Sequence, residues 1–245
     1  MERWNDRGLV LSVRAHGENA AVVSMITEKH GRHAGYVHGG HASSRMRAAL
    51  QPGAKLDVEW SAQTSDQLGA FAIQDDFPPD PAWLEDPARL AALQSVCAIL
   101  DKTLPERERH PALFTGTDAL FQSLAQDKEI WGAMLVYWEL SLLRELGFGL
   151  DLSKCVVTGE TENLHYVSPK SGGAVSEAAA GTYKDRLLKL PGFLRGEGQV
   201  NIDDVAAGLK LSGYFIEHRL LAHTTYTLPE SRQRLTSFFD TPAAA

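Results

Sequence analysis

The chain has little cysteine: Cys97 and Cys155 are the only two among 245 residues. Two cysteines cannot form the disulfide framework of a small secreted protein, so we expect a reducing, cytoplasmic location. Long hydrophobic runs are also lacking. The most apolar segment, residues 130–143, contains Glu139 and is too short to cross a bilayer. Residues 1–6 are polar and carry charges of both signs, so we expect no signal peptide and no membrane association.

The sequence lacks the motifs of common enzyme classes. It has no G-x-S-x-G nucleophile elbow, no Walker loop, no H-E-x-x-H and no dinucleotide-binding fingerprint. The adjacent pairs Asp75-Asp76 and Asp203-Asp204 are interpreted as a surface loop and a helix N-terminus. We therefore expect no catalytic residues and no enzymatic activity, and a hydrolase with an unrecognised site is the weaker alternative.

Acidic residues are absent from one segment of an otherwise acidic chain. The net charge is −7, and residues 57–245 contain 16 basic and 27 acidic residues. Residues 29–56, the acid-free window, contain five basic residues and no acidic one. A local excess of positive charge in an acidic chain indicates a binding site for a polyanion.

The first 77 residues are predicted to form β structure. Alternating apolar and polar side chains, separated by turn residues, mark five short strands. They are residues 8–14, 20–27, 33–38, 56–60 and 69–74. Five strands in about 75 residues predict a small barrel, of which the OB-fold is the commonest five-stranded case. A short helix is predicted at residues 43–50.

Three prolines within residues 78–82 predict a linker, because proline continues neither a strand ladder nor a helix interior. Beyond it the hydrophobic period changes from two to about 3.6, which predicts a helical domain over residues 83–240. The predicted helices are residues 87–103, 110–125, 130–146, 180–190, 202–222 and 229–239, with Asn201 as the N-cap of the fifth. Residues 151–179 interrupt the helical pattern with one predicted strand at 164–167. The fold class is α+β with two domains, 1–77 and 83–240.

Single-stranded nucleic acids bind to cationic grooves that follow phosphates and to aromatic rings on which bases stack. The barrel offers such side chains in and near the acid-free window. The candidate DNA-binding residues are Arg14, Lys29, Arg32, His33, Tyr36, His38, Arg45 and Arg47. The alternative is a solvated basic loop that binds nothing. The spacing His30-x-x-His33 is not interpreted as a metal site, because strand residues i and i+3 point to opposite faces.

The order and spacing of several segments resemble the RecO family of recombination mediators. These segments are GLVLSVRAHGE (8–18), TEKHGR (27–32), GYVHGG (35–40), LQPG (50–53), ELGFGLDLSKC (145–155) and GLKLSGYF (208–215). The resemblance implies an N-terminal OB-fold and a helical domain with a small zinc-ribbon-like insertion. It implies a nucleoid-associated protein that binds single- and double-stranded DNA, anneals strands, and with RecR helps RecA load onto DNA coated by the single-stranded-DNA-binding protein (SSB).

The same resemblance implies that the acidic C-terminal tail of SSB docks on the helical domain. By charge, the candidates for that contact are Arg144, Lys184, Arg186 and Arg219. The alternative function is a non-catalytic protein-interaction adaptor, since OB-like barrels host many functions and the acidic helical domain would be its main surface.

Zinc-binding members of the family carry two C-x-x-C pairs. The corresponding positions here are Cys155, Thr158, Ser176 and Ala179. A structural zinc ion needs four good ligands. We therefore predict a degenerate ribbon, held by apolar packing, that folds without metal, and no other cofactor.

Overall fold

The computed structural model describes residues 1–42, 44–64 and 66–240. Two compact units follow one another along the chain, the first spanning Met1–Phe121 and the second beginning at Gln122. Within the described ranges, no helix is both long enough and apolar enough to cross a membrane.

Five strands of the first unit form a closed barrel in the order β1-β2-β3-β5-β4. They are β1 (Glu2–His16), β2 (Ala20–Thr27), β3 (Gly31–Val37), β4 (Lys55–Ala62) and β5 (Ala70–Phe77). Neighbouring strands are antiparallel, except that β3 and β5 pair in parallel at Tyr36 and Ala70. All five predicted strands are confirmed, although β1 begins earlier than the pattern indicates.

The barrel closes because the two halves of β1 pair with different neighbours. Residues 2–9 pair with β4, and residues 8–16 pair with β2. A β-bulge between Val10 and Ser12, within the pairing with β2, bends the strand just after its pairing with β4 ends. Alternate side chains then point inward, and the interior contains Val10, Val23, Met25, Leu56, Val58, Trp60 and Phe71.

The first unit also contains helices, one between β3 and β4 and the others after β5. They are α1 (Ser44–Ala49), α2 (Pro81–Glu85), α3 (Pro87–Thr103) and α4 (Pro111–Ser123). The predicted bounds of α3 are confirmed, and the side chain of Asp86 caps it by accepting hydrogen bonds from the N–H groups of Ala88 and Arg89. The predicted start of α1 at Ser43 lies outside the described residues.

The proline-rich segment at residues 78–82 changes the chain from strand to helix without ending the compact unit. Asp80 caps α2, and Pro79 is buried. α3 packs on β1, where the Cys97 thiol donates to the Val10 carbonyl at 3.5 Å. The compact unit therefore extends to Phe121, beyond the predicted boundary of the first domain.

The second unit is built around three helices, α5 (Lys128–Glu145), α7 (Ile202–Phe215) and α8 (Glu230–Ser237). α5 and α7 approach closely at two glycines, since a Cβ atom at Gly132 would lie 2.7 Å from Val205 and one at Gly208 would lie 2.9 Å from Val136. Asn201 is confirmed as the N-cap of α7. That helix ends at Phe215, and one π-helical turn, Ile216–Leu220, occupies most of the remaining predicted span.

A buried ion pair joins the three helices. Arg232 of α8 donates from Nε to Glu139 Oε1 of α5 at 2.5 Å and from Nη2 to Oε2 at 2.9 Å. Ser212 of α7 also donates to Oε2. Both charged residues are inaccessible to solvent, with 1 % and 0 % of their side chains exposed.

A four-stranded sheet lies between α5 and α7 in the sequence, with the order β6-β8-β7-β9. Its strands are β6 (Asp151–Cys155), β7 (Leu164–Val167), β8 (Gly173–Ser176) and β9 (Leu188–Lys189). The predicted strand at 164–167 is confirmed. The predicted helix at 180–190 is wrong: α6 (Glu177–Ala180) ends where Gly181 takes a φ of 45°, and a 3-10 turn and β9 follow.

Candidate nucleic-acid interface

The outer face of β1, β2 and β3 has a covered half and an open half. α3 packs on the covered half, where Ile26 is 0 % exposed. The open half carries Arg14 and His16 of β1 and Tyr36 of β3. Val22 pairs with Arg14 on one side and with Tyr36 on the other, so these side chains form a row across three strands. A polyanion can therefore approach the barrel at this half.

Hydrogen bonds bring the segment after β3 to the same end of the barrel. His41 donates its backbone N–H to the carbonyl of Asn19 at 3.2 Å, and Arg47 donates from Nη1 to the carbonyl of His41 at 3.0 Å. Arg47 and His38 are exposed. We call Arg14, His16, Tyr36, His38 and Arg47 together the hairpin-end patch.

Two predicted cations lie apart from this patch. Arg45 is exposed on α1 but lines a cavity of about 240 Å³ together with Asp75 and Asp76. Lys29 lies in the turn between β2 and β3, at the opposite end of the hairpin from His38. The seven residues of β3 separate these ends by about 20 Å. The structure therefore does not gather all the predicted cations in one place.

Arg32 has intramolecular partners, which argue against the predicted DNA contact. Its Nε donates to the carbonyl of Leu104 at 2.7 Å. Its guanidinium also lies 3.7 Å from Asp101 and 3.5 Å from Glu106, and only 15 % of its side chain is exposed. Because carboxylates already neutralise it, we remove Arg32 from the candidate surface.

His33 belongs to an aromatic cluster inside the barrel, which likewise argues against the predicted DNA contact. Its ring lies edge-on to Trp4 and Trp60, with centroids 5.1 and 5.3 Å away, and Nδ1 donates to the carbonyl of His30 at 3.0 Å. Burial lowers the pKa of His33 below its ordinary value, although the hydrogen bond to His30 opposes this. A ring that is 6 % exposed offers little surface to a phosphate.

His16 was missed among the predicted DNA-binding residues, because the predicted first strand ends at residue 14 whereas β1 extends to His16. The alternation of β1 is the signal that identifies it. Residues i and i+2 of a strand share a face, so His16 points the same way as Arg14.

The four cations predicted for partner binding do not line one cavity. Lys184 is 2.7 Å from Glu177, and Arg219 donates to the carbonyl of Lys170 at 3.0 Å. Arg144 is exposed on α5, and Arg186 is exposed in the 3-10 turn before β9.

A cavity of about 500 Å³ lies instead between β9 and α7. Its lining residues are Leu187, Leu188, Lys189, Asp203, Ala206, Ala207, Lys210, Leu211 and Asp240. Each of its lysines faces an acidic residue, Lys189 at 3.7 Å from Asp204 and Lys210 at 2.8 Å from Asp240. This cavity thus combines an apolar wall with paired charges.

The four positions that correspond to zinc ligands do not fit a structural zinc ion. Ser176 donates to the Cys155 sulfur from its backbone N–H at 3.4 Å and from its hydroxyl at 3.6 Å. The N–H of Ala179 donates to the Ser176 hydroxyl at 3.4 Å. Only Cys155 offers a good ligand, and no cluster of three potential metal ligands occurs in the part of the chain that the structure describes.

The Cys155 thiol is only 1 % exposed but receives several hydrogen bonds. Burial by itself raises its pKa, whereas donors from the Thr158 hydroxyl and from the N–H groups of Ser176, Thr158 and Val157 lower it. The donors prevail, and the pKa of Cys155 is lowered to about 6. The Thr158 hydroxyl also lies 3.1 Å from a carboxylate oxygen of Glu160, which can accept its hydrogen in place of the Cys155 sulfur. The backbone N–H groups donate to the sulfur in either case.

Comparisons with known proteins agree along most of the chain. Residues 1–73 match the family model described as Recombination protein O N terminal, and residues 84–225 match Recombination protein O C terminal. The DNA repair protein RecO of Rhodospirillum centenum is 48% identical over 233 residues, 94% of this chain and 92% of that protein. The proteins of the same name from Ruegeria sp. and Phenylobacterium zucineum are each 45% identical, over 94% of this chain and 95% and 94% of their own lengths.

Proposed function

Because the chain belongs to the RecO family, we propose that it acts in DNA repair as a recombination mediator that binds DNA and performs no covalent chemistry. The relatives at 44–48% identity are named as DNA repair proteins. The proposed substrates are single- and double-stranded DNA, and the proposed activity is the annealing of complementary strands.

The observation that carries the proposal is the hairpin-end patch. Arg14 lies in the row of side chains on the half of the barrel that α3 leaves open, and Arg47 is exposed beside the backbone of His41 at the same end of the barrel. Arginine binds phosphate through several donors at once. Cations that hold the phosphates leave the Watson–Crick edges available, which annealing requires.

The strand order supports the OB-fold as the identity of the barrel. In this fold, the face formed by the second and third strands, together with the neighbouring loops, binds oligonucleotides. The hairpin-end patch lies at the corresponding place here, because Tyr36 of β3 pairs with Val22 of β2, and Arg14 and His16 lie at the end of β1 that leads into β2. We further propose that the sheet β6–β9 is the zinc-ribbon-like insertion and folds without metal.

The proposed partners are RecR, RecA and SSB, and family membership is their support. For the acidic SSB tail we keep the helical domain as the proposed binding region, with Arg144 and Arg186 as its exposed candidate cations. The cavity between β9 and α7 is a weaker candidate, because its lysines are paired with acidic residues.

The test is the salt dependence of DNA binding, measured by fluorescence anisotropy with unrelated oligonucleotides. The double substitution Arg14→Ala and Arg47→Ala should weaken binding to all of them and flatten the salt slope by roughly one unit per lost phosphate contact. The control is Arg3→Ala, which removes an arginine of β1 that lies 3.4 Å from Glu59. If the double variant keeps the slope of the unsubstituted protein, the patch is not a DNA site and the adaptor alternative gains support.

A further inference from the structure

The rings of His16 and Tyr36 meet within the hairpin-end patch. Their centroids lie 5.0 Å apart, and the ring planes are inclined by 56°. His16 is exposed and Tyr36 is partly exposed. The patch therefore presents an aromatic surface as well as cations.

The backbone that carries the Tyr36 ring is held by neighbouring strands on both sides. Tyr36 pairs with Val22 of β2, and its N–H donates to the carbonyl of Gly69 at 3.0 Å, where β3 meets β5. A ring on a fully paired strand needs little reordering when a ligand binds.

The cations and the rings recognise different parts of DNA. Arg14 lies in the same row as Tyr36, and Arg47 is held beside the turn between β1 and β2. Phosphates occur in single strands and in duplexes, so contacts to them alone give no preference between the two. The bases of a duplex are stacked on one another, and only an unstacked base offers its face to an aromatic side chain.

We propose that His16 and Tyr36 form a stacking platform for an unpaired base, which gives the hairpin-end patch a preference for single-stranded DNA over duplex. The inference rests on the proposed function and adds that the patch recognises an unpaired base as well as phosphates. Any of the four bases fits, since every base has a π-face.

The experiment compares Tyr36→Leu with Tyr36→Phe in the full chain, by anisotropy with three labelled probes. The probes are a single strand, the matched duplex, and the same single strand with abasic sites in its centre. Tyr36→Leu should lower the affinity for the intact single strand by about 5- to 150-fold for one stacked base. Its affinities for the duplex and for the abasic strand should not change, and Tyr36→Phe should bind all three like the unsubstituted protein.

The outcomes separate this inference from the proposed function. An equal loss on the intact and abasic strands, or no loss on either, would overturn the platform while DNA binding at the patch stands. If the proposed function is wrong, the affinity for DNA will instead be unchanged in the double variant Arg14→Ala and Arg47→Ala. If Tyr36→Leu does not fold, His16→Leu at the exposed ring provides the same comparison.

Discussion

Arg32 donates its Nε hydrogen to the backbone oxygen of Leu104, and this bond fastens β3 to the segment that follows α3. The backbone of Arg32 also bonds to this segment, because the N–H of Arg107 donates to the carbonyl of Arg32 at 2.7 Å. The most basic part of the sequence thus contributes one of its arginines to the architecture of the first unit.

Replacing Arg32 should therefore change stability and leave DNA binding intact. We expect Arg32→Ala to lower the free energy of unfolding by about 1.5–3 kcal/mol, the usual contribution of a hydrogen bond to a charged group. Urea unfolding and anisotropy measure the two properties separately. Arg47→Ala is the matched control, with weakened DNA binding and little change in stability; the opposite pattern in the two variants would contradict the assignment.

Acid should destabilise the barrel through His33. Burial lowers the pKa of this histidine from 6.5, so its contribution to stability is complete above that pH and is lost as the pH falls through the folded-state pKa. Between about pH 7 and pH 5, the melting temperature of the unsubstituted protein should fall more than that of His33→Gln, which cannot be charged. His223→Gln, at an exposed position, is the control and should follow the unsubstituted protein. If the melting temperatures of all three proteins fall equally with pH, His33 is not the cause of the acid destabilisation.

The degenerate ribbon should be independent of metal and convertible to a zinc site. A chelator should leave the melting temperature unchanged, because three of the four ligand positions lack a thiolate. The triple substitution Thr158→Cys, Ser176→Cys and Ala179→Cys restores those ligands beside Cys155, so zinc should raise its melting temperature. Adding Cys155→Ser to the triple variant is the control that should abolish the effect. Stoichiometric zinc in the unsubstituted protein would refute the prediction.

The strands and α3 could be predicted because the spacing of hydrophobic residues within each segment indicates its secondary structure. The strands of the barrel alternate with period two, and the bounds of α3 follow from the change of period after the prolines. The same alternation could have placed His33 correctly, since it shares a face of β3 with Gly35 and Val37, both of which are buried.

Long-range partners were not predictable from a local pattern. The acid-free window contains no carboxylate, but the acids that neutralise Arg32 come from Asp101 and Glu106, far along the chain. The helix expected at 180–190 failed for a different reason. Its apolar residues belong partly to β9, which pairs with β7, and that pairing depends on tertiary structure.

The ion pair of Glu139 and Arg232 has a consequence for the order in which the second unit is assembled. The match to the C-terminal family model stops at residue 225, whereas α8 begins at Glu230, so the countercharge for Glu139 comes from beyond the matched region. A carboxylate left alone in an apolar interior is strongly unfavourable. The interior shared by α5 and α7 should therefore close fully around that carboxylate only once Arg232 of α8 is in place.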